Sequence, residues 1–336
     1  MKQRISIIIP NYNGGRTIGI CLDSVFAISD EEREVIVVDD CSGDGSQDIV
    51  RKYPCRVIQM ERHAGASAAR NAGAFNSTGD ILFFIDADCV LQQDALSIIR
   101  RCFQEYASGT VFGGTYSWAP YDPGFFNAFQ SGFIHYFETK NAGAPDYLAT
   151  HALAVSAETF RKVGGFTEGF LPILEDVEFS HRLRRNGHRL VMIPGLQVRH
   201  IFNFSLGRSL KNAVRKTRYW IESSLAHKDL FADSGTASRE LKINGTVWLA
   251  NAVLALLFLL TGKQWLLAPI LALWSAGIFV NRHLFGAFFR AGGAGFTVMA
   301  ALYYSIVYPS AVWIGAFGGF VQHFRGSGSG VQSEQA

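Results

Sequence analysis

Uncharged apolar runs alternate with amphipathic stretches through the first hundred residues. Ile5 to Ile9 form an apolar run that stops at Pro10-Asn11-Tyr12-Asn13, the turn chemistry that ends a strand. A helical stretch follows from about Thr17 to Ile28. Glu34-Val35-Ile36-Val37-Val38 then predicts a second buried strand, closing on the pair Asp39-Asp40. Ser42-Gly43-Asp44-Gly45-Ser46 supplies a turn and caps a helix near Gln47 to Lys52. A short strand at Cys55 to Gln59, a helix near Ala66 to Asn76 and a buried strand at Ile81 to Ile85 complete the series. Strands alternating with helices predict an α/β fold, a mainly parallel central sheet with helices on both faces. No G-x-G-x-x-G follows the first strand, which disfavours a dinucleotide-binding unit.

The next segments are less regular. Gly113 to Asp146 is rich in aromatics and glycine without clear periodicity, and is expected to form loops and helices. Gly164-Gly165 permits a tight loop. Apolar residues at 174, 177, 179 and 183 predict a short helix opening at Glu175-Asp176, where its dipole favours negative charge. Leu190 to Pro194 and Gln197 to His200 are expected to form a closing strand pair.

Past residue 240 the pattern changes to long uncharged stretches, 243–262, 264–281 and 291–324. Each is long enough to cross a bilayer as a helix, giving about three transmembrane helices, the last embedded near Phe296 to Val321. Pro269 and Pro309 are expected to kink their helices, and a tight hairpin to join Thr261 to Gln264. Arg239, Lys242, Arg282 and Arg290 fall on one side and Lys263 on the other, which by the positive-inside rule keeps the N-terminal domain cytoplasmic and the tail outside. The chain opens on a strand, so no signal peptide is expected. Leu206 to Leu225 carries Arg208, Lys211, Arg215, Lys216 and Arg218 among apolar residues, the pattern of an interfacial helix whose cations meet lipid phosphates. Residues 325–336 have a linker-like composition and are expected to be disordered.

Composition narrows the function classes. A net charge of +3 on 336 residues, with the positives near the apolar end, gives no support to nucleic acid binding. The five cysteines show no metal-binding spacing and are expected as free thiols, Cys89 packing rather than ligating. Asp86-Ala87-Asp88 places two carboxylates at the exit of a buried strand, where open α/β sheets bind ligands. A hard divalent cation takes oxygen ligands and bridges to phosphates, so the spacing suggests a metal–diphosphate site.

The ordered series IIIPNYN, VIVVDDCSGDGS, GASAARNAGA and GDILFFIDAD resembles the nucleotide-binding half of family 2 glycosyltransferases, which have the GT-A fold. The resemblance implies inverting transfer from a nucleoside-diphosphate sugar with Mg2+ or Mn2+. Position by position, it implies that Tyr12 stacks on the base beside Pro10. Asp40 would accept from a uracil-type ring nitrogen, favouring a UDP-type donor, with Arg70 near the nucleotide. It implies that Asp88 holds the metal directly, that Asp86 acts through water or the ribose, and that His200 is a secondary ligand. Asp176 matches the general base and Glu175 is the next choice. Asp39 is expected to cap a helix and Glu178 to be a surface or salt-bridging residue, while His151 and His181 have no comparable support.

The implied organisation is a nucleotide-sugar-binding half over 1–110, an acceptor half over 111–205, an amphipathic interfacial segment over 206–240 and three membrane helices over 241–324. The implied acceptor is lipid-linked, a polyprenyl phosphate or lipid-linked glycan, at the cytoplasmic (inner) membrane among membrane lipids. The alternatives are a processive polysaccharide synthase and a catalytically silent nucleotide-sugar-binding scaffold. Processive members carry Q-x-x-R-W near the interfacial segment, whereas this chain has Arg218-Tyr219-Trp220 without the glutamine.

Overall fold

The structure is a computed structural model that describes residues 3–168, 174–227, 230 and 233–326. Two compact units divide the chain, Met1–Asn203 and Phe204–Ala336. The first begins with Ile5–Asn11 (β1), Ile18–Phe26 (α1), Arg33–Asp39 (β2), Ser46–Val50 (α2), Arg56–Gln59 (β3), Ala66–Phe75 (α3) and Ile81–Ile85 (β4). These are the elements that the apolar runs predict, within a residue or two at each end. Their four strands lie parallel in the order β3-β2-β1-β4. Ile5, Ile7, Ile8 and Ile9 are all fully buried, as a strand covered on both faces requires.

The remainder of this unit contains Cys89–Leu91 (β5), Ala95–Glu105 (α4), Val111–Tyr116 (β6), Phe125–Thr139 (α5), Ala152–Ser156 (β7), Ala157–Val163 (α6), Glu175–Arg185 (α7) and Leu190–His200 (β8). They extend the sheet to eight strands, β3-β2-β1-β4-β7-β6-β8-β5. β7 runs antiparallel to both β4 and β6, β8 is parallel to β6, and β5 closes the edge antiparallel to β8. Leu174, Val177, Phe179 and Leu183 are buried along α7, as their spacing predicts.

The closing strands form one strand rather than a pair. β6 bonds Leu190–Met192 with Val111–Gly113, and Gln197–Val198 with Thr115–Tyr116, so both apolar runs lie on the same neighbour. Ile193 to Leu196 bulge out opposite Gly114, where Pro194 has no N–H to donate. Gly114 permits this approach: a Cβ there would stand 2.4 Å from the Leu196 carbonyl oxygen and 2.9 Å from the Ala152 Cβ.

The second unit is helical: Leu206–His227 (α8), Arg239–Thr261 (α9), a 3-10 turn at Gln264–Leu266, Leu267–Val280 (α10), Arg282–Leu302 (α11), a π-helical turn at Tyr303–Val307 and Tyr308–Gly326 (α12). α9 and the helical stretch Arg282–Arg325, which is interrupted at Gly293, are long and apolar enough to cross a membrane. The expected second span is shorter. Its helical residues, Gln264–Val280, reach about 25 Å at 1.5 Å per residue, against a bilayer core of about 30 Å. Pro269 lies in the first turn of α10, where no N–H is needed, and so does not kink it. The break falls instead at Gly293, with φ 74° and ψ −171°. α12 runs to Gly326, and residues 327–336 of the expected disordered tail lie outside the described residues.

The π turn precedes Pro309 and frees carbonyls, which α9 satisfies. Asn244 donates to the Tyr304 carbonyl at 2.9 Å and Trp248 to that of Ile306 at 2.8 Å. α12 meets α8 through Gly315 and Gly319, where a Cβ would reach the carbonyls of Val214 and Arg218 at 2.5 and 2.4 Å.

Gly114→Ala is expected to cost about 1–3 kcal/mol through overpacking. A lower thermal midpoint of the isolated mutant would report it, and an unchanged midpoint would mean the bulge absorbs the methyl freely.

Candidate active site

Parallel pairing of β1, β2 and β4 brings their carboxyl ends to one edge of the sheet. Pro10 lies near the end of β1 with Tyr12 just past it, Asp39 ends β2 with Asp40 next, and Asp86 and Asp88 follow β4. Tyr12 is 51% exposed, its ring stacked on His63 with centroids 4.0 Å apart. His63 Nδ1 lies 2.9 Å from Asp40 Oδ2. Asp40 is buried and accepts from the backbone N–H groups of Ala64 and Gly65, each at 2.8 Å. This fixes its carboxylate beside the exposed Tyr12 ring.

Asp39 does not cap a helix, since Gly45 holds the N-cap position of α2. Its oxygens instead accept from Asn11, the Ser42 N–H and Gln47, bracing the ends of β1 and β2 against one another.

Arg70 projects from α3 into the centre of the acidic group. Its Nη2 donates to Asp86 Oδ1 and its Nη1 to Glu175 Oε1, both at 2.7 Å. Arg70 and Glu175 are buried, so one guanidinium neutralises acids that lie far apart in the chain. Burial alone would raise the Asp86 carboxyl, but the charge of Arg70, with His151, holds it below the usual range. Asp176, half-buried and next in sequence, has the opposite fate. Burial and then the Glu175 charge push its pKa up to about 7.

Asn71, beside Arg70 on α3, secures the glycine loop. Its Oδ1 accepts from the Phe166 N–H and its Nδ2 donates to the Phe166 carbonyl, both at 2.8 Å. Gly164 and Gly165 take φ of 90° and 71°, a conformation that favours glycine. Arg182 on α7 donates to the carbonyls of Val163 and Gly165 and pairs with Glu178 at 2.8 Å, the salt bridge expected of that acid.

The β5–β8 register sets Cys89 opposite His200, and the Ile201 N–H donates to the Asp88 carbonyl at 2.8 Å. His200 Nε2 therefore stands 3.4 Å from Asp88 Oδ2. The Asp88 side chain is 40% exposed, and burial with the Asp86 charge raises its pKa to about 7. One ligand atom each from Asp88, Cys89 and His200 lies within 4.8 Å of the others. A carboxylate and an imidazole suit Mg2+ or Mn2+. Burial raises the Cys89 thiol well above its ordinary value, and a soft thiolate is a poor match for a hard cation. The donor set fits a hard cation held by Asp88 and His200.

His151 was not marked by its sequence context, yet it belongs to this cluster. The β4–β7 ladder pairs Ile85 with Ala152, so one further step puts His151 opposite Asp86. It is buried, with Nε2 3.5 Å from Glu138 Oε2, and burial lowers its pKa less than Glu138, Asp86 and Asp176 raise it. His63 and Asn71 flank or fall within the motif GASAARNAGA, which was their only signal. His181 lies elsewhere, paired with Asp146 at 3.2 Å.

A family model described as Glycosyl transferase family 2 matches residues 6–151, and one described as Glycosyl transferase family group 2 matches residues 81–320. The chain is similar to glycosyltransferase GlyA of Streptococcus pneumoniae, 32% identical over 121 residues, 35% of this chain and 17% of that protein. It is also similar to an uncharacterized glycosyltransferase of Haemophilus influenzae, 29% identical over 193 residues, 53% of this chain and 61% of that protein. The chain thus spans less than two thirds of the length of these curated relatives. Among solved structures it is similar to the mannosyltransferase PcManGT from Pyrobaculum calidifontis, in complex with GDP-Man and Mn2+. The TM-score is 0.57 at 18% identity, covering 96% of this chain and 88% of that one, a likeness of fold.

Arg70→Met is expected to destabilise the protein by about 3–5 kcal/mol at pH 7, because the buried Glu175 and the half-buried Asp86 lose their cation. Asp86 has a folded pKa below its unfolded one, so its contribution is present above the unfolded value and lost as pH falls through the folded one. The gap in thermal midpoint between variant and wild type should therefore shrink in acid. An equal gap at pH 3 and pH 7 would remove the ion pair as its source.

Proposed function

The chain belongs to glycosyl transferase family group 2, and from that premise we propose that it moves a sugar, with inversion, from a nucleoside diphosphate to a lipid-linked acceptor. The observation that carries this reading is the Arg70 guanidinium. By holding Asp86 and Glu175 at 2.7 Å each, it joins the strand end that precedes Asp88 to the helix start that presents Asp176. The elements proposed to carry the donor and the acceptor are then tied together at one guanidinium.

Tyr12 offers an exposed aromatic face to the base, with Pro10 beside it and Asp40 held ready to accept from a ring N–H. Asp40 in this role favours a UDP-type donor. Asp86, ionised by Arg70, would accept from the ribose or from a metal-bound water, and Asp88 with His200 would hold Mg2+ or Mn2+. PcManGT, the neighbour in fold, is in complex with GDP-Man and Mn2+, which supports a divalent ion here. When bound, that ion would stabilise the charge of the departing diphosphate.

Asp176 acts as the general base. Where the acceptor offers a hydroxyl, as a lipid-linked glycan does, its oxygen bonds to the anomeric carbon as its proton passes to the Asp176 carboxylate and the bond from that carbon to the diphosphate oxygen breaks on the opposite face. One displacement with one base inverts the configuration. A carboxyl with pKa about 7 suits this work, since a base is most effective when poised near the operating pH.

The membrane part of the proposal rests on the apolar helices. Arg239 and Lys242 lie at the start of α9, Lys263 follows its end, and Arg282 and Arg290 begin the last helical stretch. The chain would leave the cytoplasmic face through α9, return through the short helix 264–280 with local thinning of the bilayer, and cross again. This multi-pass arrangement in the cytoplasmic (inner) membrane keeps the catalytic unit in the cytoplasm. α8, with Arg208, Lys211 and Arg215 exposed, would lie against anionic lipid head groups.

Purified protein in lipid, incubated with Mn2+, a panel of nucleotide sugars and polyprenyl phosphate or lipid-linked glycan acceptors, should release nucleotide with one donor. Asp176→Asn is expected to lose about 10²–10⁴-fold in kcat while still binding the donor, and Asp88→Ala to lose metal-dependent turnover. Since Asp176 must be unprotonated, wild-type kcat should fall as pH drops below about 7. Wild-type turnover by Asp176→Asn would exclude it as the base. Long polymer in place of a single added sugar would favour processive synthesis.

A further inference from the structure

Beyond the ligands themselves, the structure assigns a way of aiming one of them. β7, β6 and β8 are consecutive in the sheet, and an aromatic or imidazole ring stands at the end of each. His151 immediately precedes β7, Tyr116 ends β6 and His200 ends β8. The Tyr116 ring packs on His151 with centroids 4.1 Å apart and meets His200 at 4.9 Å with the planes at 61°. Phe202 stacks on the other side of this contact, 4.1 Å from His200 at 24° and 5.4 Å from Tyr116 at 86°. The His200 imidazole is thereby gripped by two rings, one stacked on it and one meeting it at a steep angle.

The far end of this row is anchored by polar groups. His151 Nε2 is 3.5 Å from Glu138 Oε2, and the same oxygen accepts from Thr115 Oγ1 at 2.7 Å. Thr115 is the residue before Tyr116 on β6, so α5 ties both the ring row and the strand that carries it. All four of these side chains are buried. A ligand on β8 needs such support because the Ile193 to Leu196 excursion interrupts that strand's pairing upstream of His200.

We propose that Tyr116, backed by the His151–Glu138 pair, is a positioning residue that aims His200 at Asp88 and so sets the affinity for the divalent cation. The proposal rests on reading Asp88 and His200 as metal ligands. Groups that orient a ligand from behind typically change metal affinity by about 10–100-fold when removed.

The test titrates Mn2+ into the full chain in lipid, following free Mn2+ by electron paramagnetic resonance, for wild type, Tyr116→Phe, Tyr116→Leu, His200→Ala and the double variant Tyr116→Leu/His200→Ala. Tyr116→Phe keeps the ring and should bind within about twofold of wild type, while Tyr116→Leu should bind about tenfold more weakly. The double variant should bind no more weakly than His200→Ala. Should Tyr116→Leu fail to fold, Tyr116→Met carries the same comparison. Wild-type affinity in the folded Leu or Met variant overturns the positioning role, as does a loss of equal size with and without His200. His200→Ala binding Mn2+ as tightly as wild type would instead remove His200 as a ligand, and the earlier reading of the metal site with it.

Discussion

The acidic end of this sheet depends on one guanidinium. Asp86, Asp88, Glu175 and Asp176 gather where strand ends and the N-terminus of α7 meet, and Arg70 bonds two of them, Asp86 and Glu175, at 2.7 Å each. Removing ions from water costs several kcal/mol each unless charge and hydrogen bonds are returned. The planar fork of arginine returns both, one N–H group to each carboxylate. α3 has a second duty through Asn71, which holds the glycine loop ahead of α7. A single helix thus sets both the charge balance of the acidic cluster and the start of the helix that presents Asp176.

That arrangement also makes neighbouring carboxyls unequal. Asp86 touches Arg70 and is held low, whereas Asp88 and Asp176, out of its hydrogen-bonding reach, are pushed up to about 7. Environments that drive paired acids apart are the means by which one site assigns different roles to identical groups. An ionised Asp86 suits a fixed contact to ribose or water. A base must exchange its proton, and the raised pKa of Asp176 accords with the role proposed for it.

The β1-to-β4 half was legible because each strand there is a local apolar run and each helix has its own cap or turn. α7 was legible for the same reason, from residues 174, 177, 179 and 183. What failed was non-local. β8 looks like two strands because its excursion at Pro194 is tolerated only where Gly114 on another strand leaves room. Tyr116 and α5 lie in aromatic sequence with no period, and His151 is a solitary histidine until the β4–β7 register sets it opposite Asp86. In the second unit, charge-free length predicted three spans. The turn at Gly262 and the cap at Asn281 trim the middle one below that length. Site residues that motifs carry can be found from order along the chain, whereas those that a ladder brings in cannot.

The pH dependences of these acids oppose one another in the fold. For the Arg70–Asp86 pair the folded pKa lies below the unfolded one, so the pair stabilises the protein above the ordinary carboxylate range and ceases to do so in acid. For Asp88 and Asp176 the folded value of about 7 exceeds the ordinary 3.8. Each therefore subtracts stability as pH rises from the ordinary value toward 7, because the fold resists ionising them. At neutral pH these two acids therefore resist ionisation, and Arg70 offsets the charge only of Asp86 and Glu175. A divalent cation at Asp88 and His200 would reverse the sign for Asp88, favouring its ionised form, and would weaken the repulsion felt by the acids around it. Cation binding and the stability of this end of the sheet are then linked, and the strength of the link rises with pH over the range in which Asp88 loses its proton.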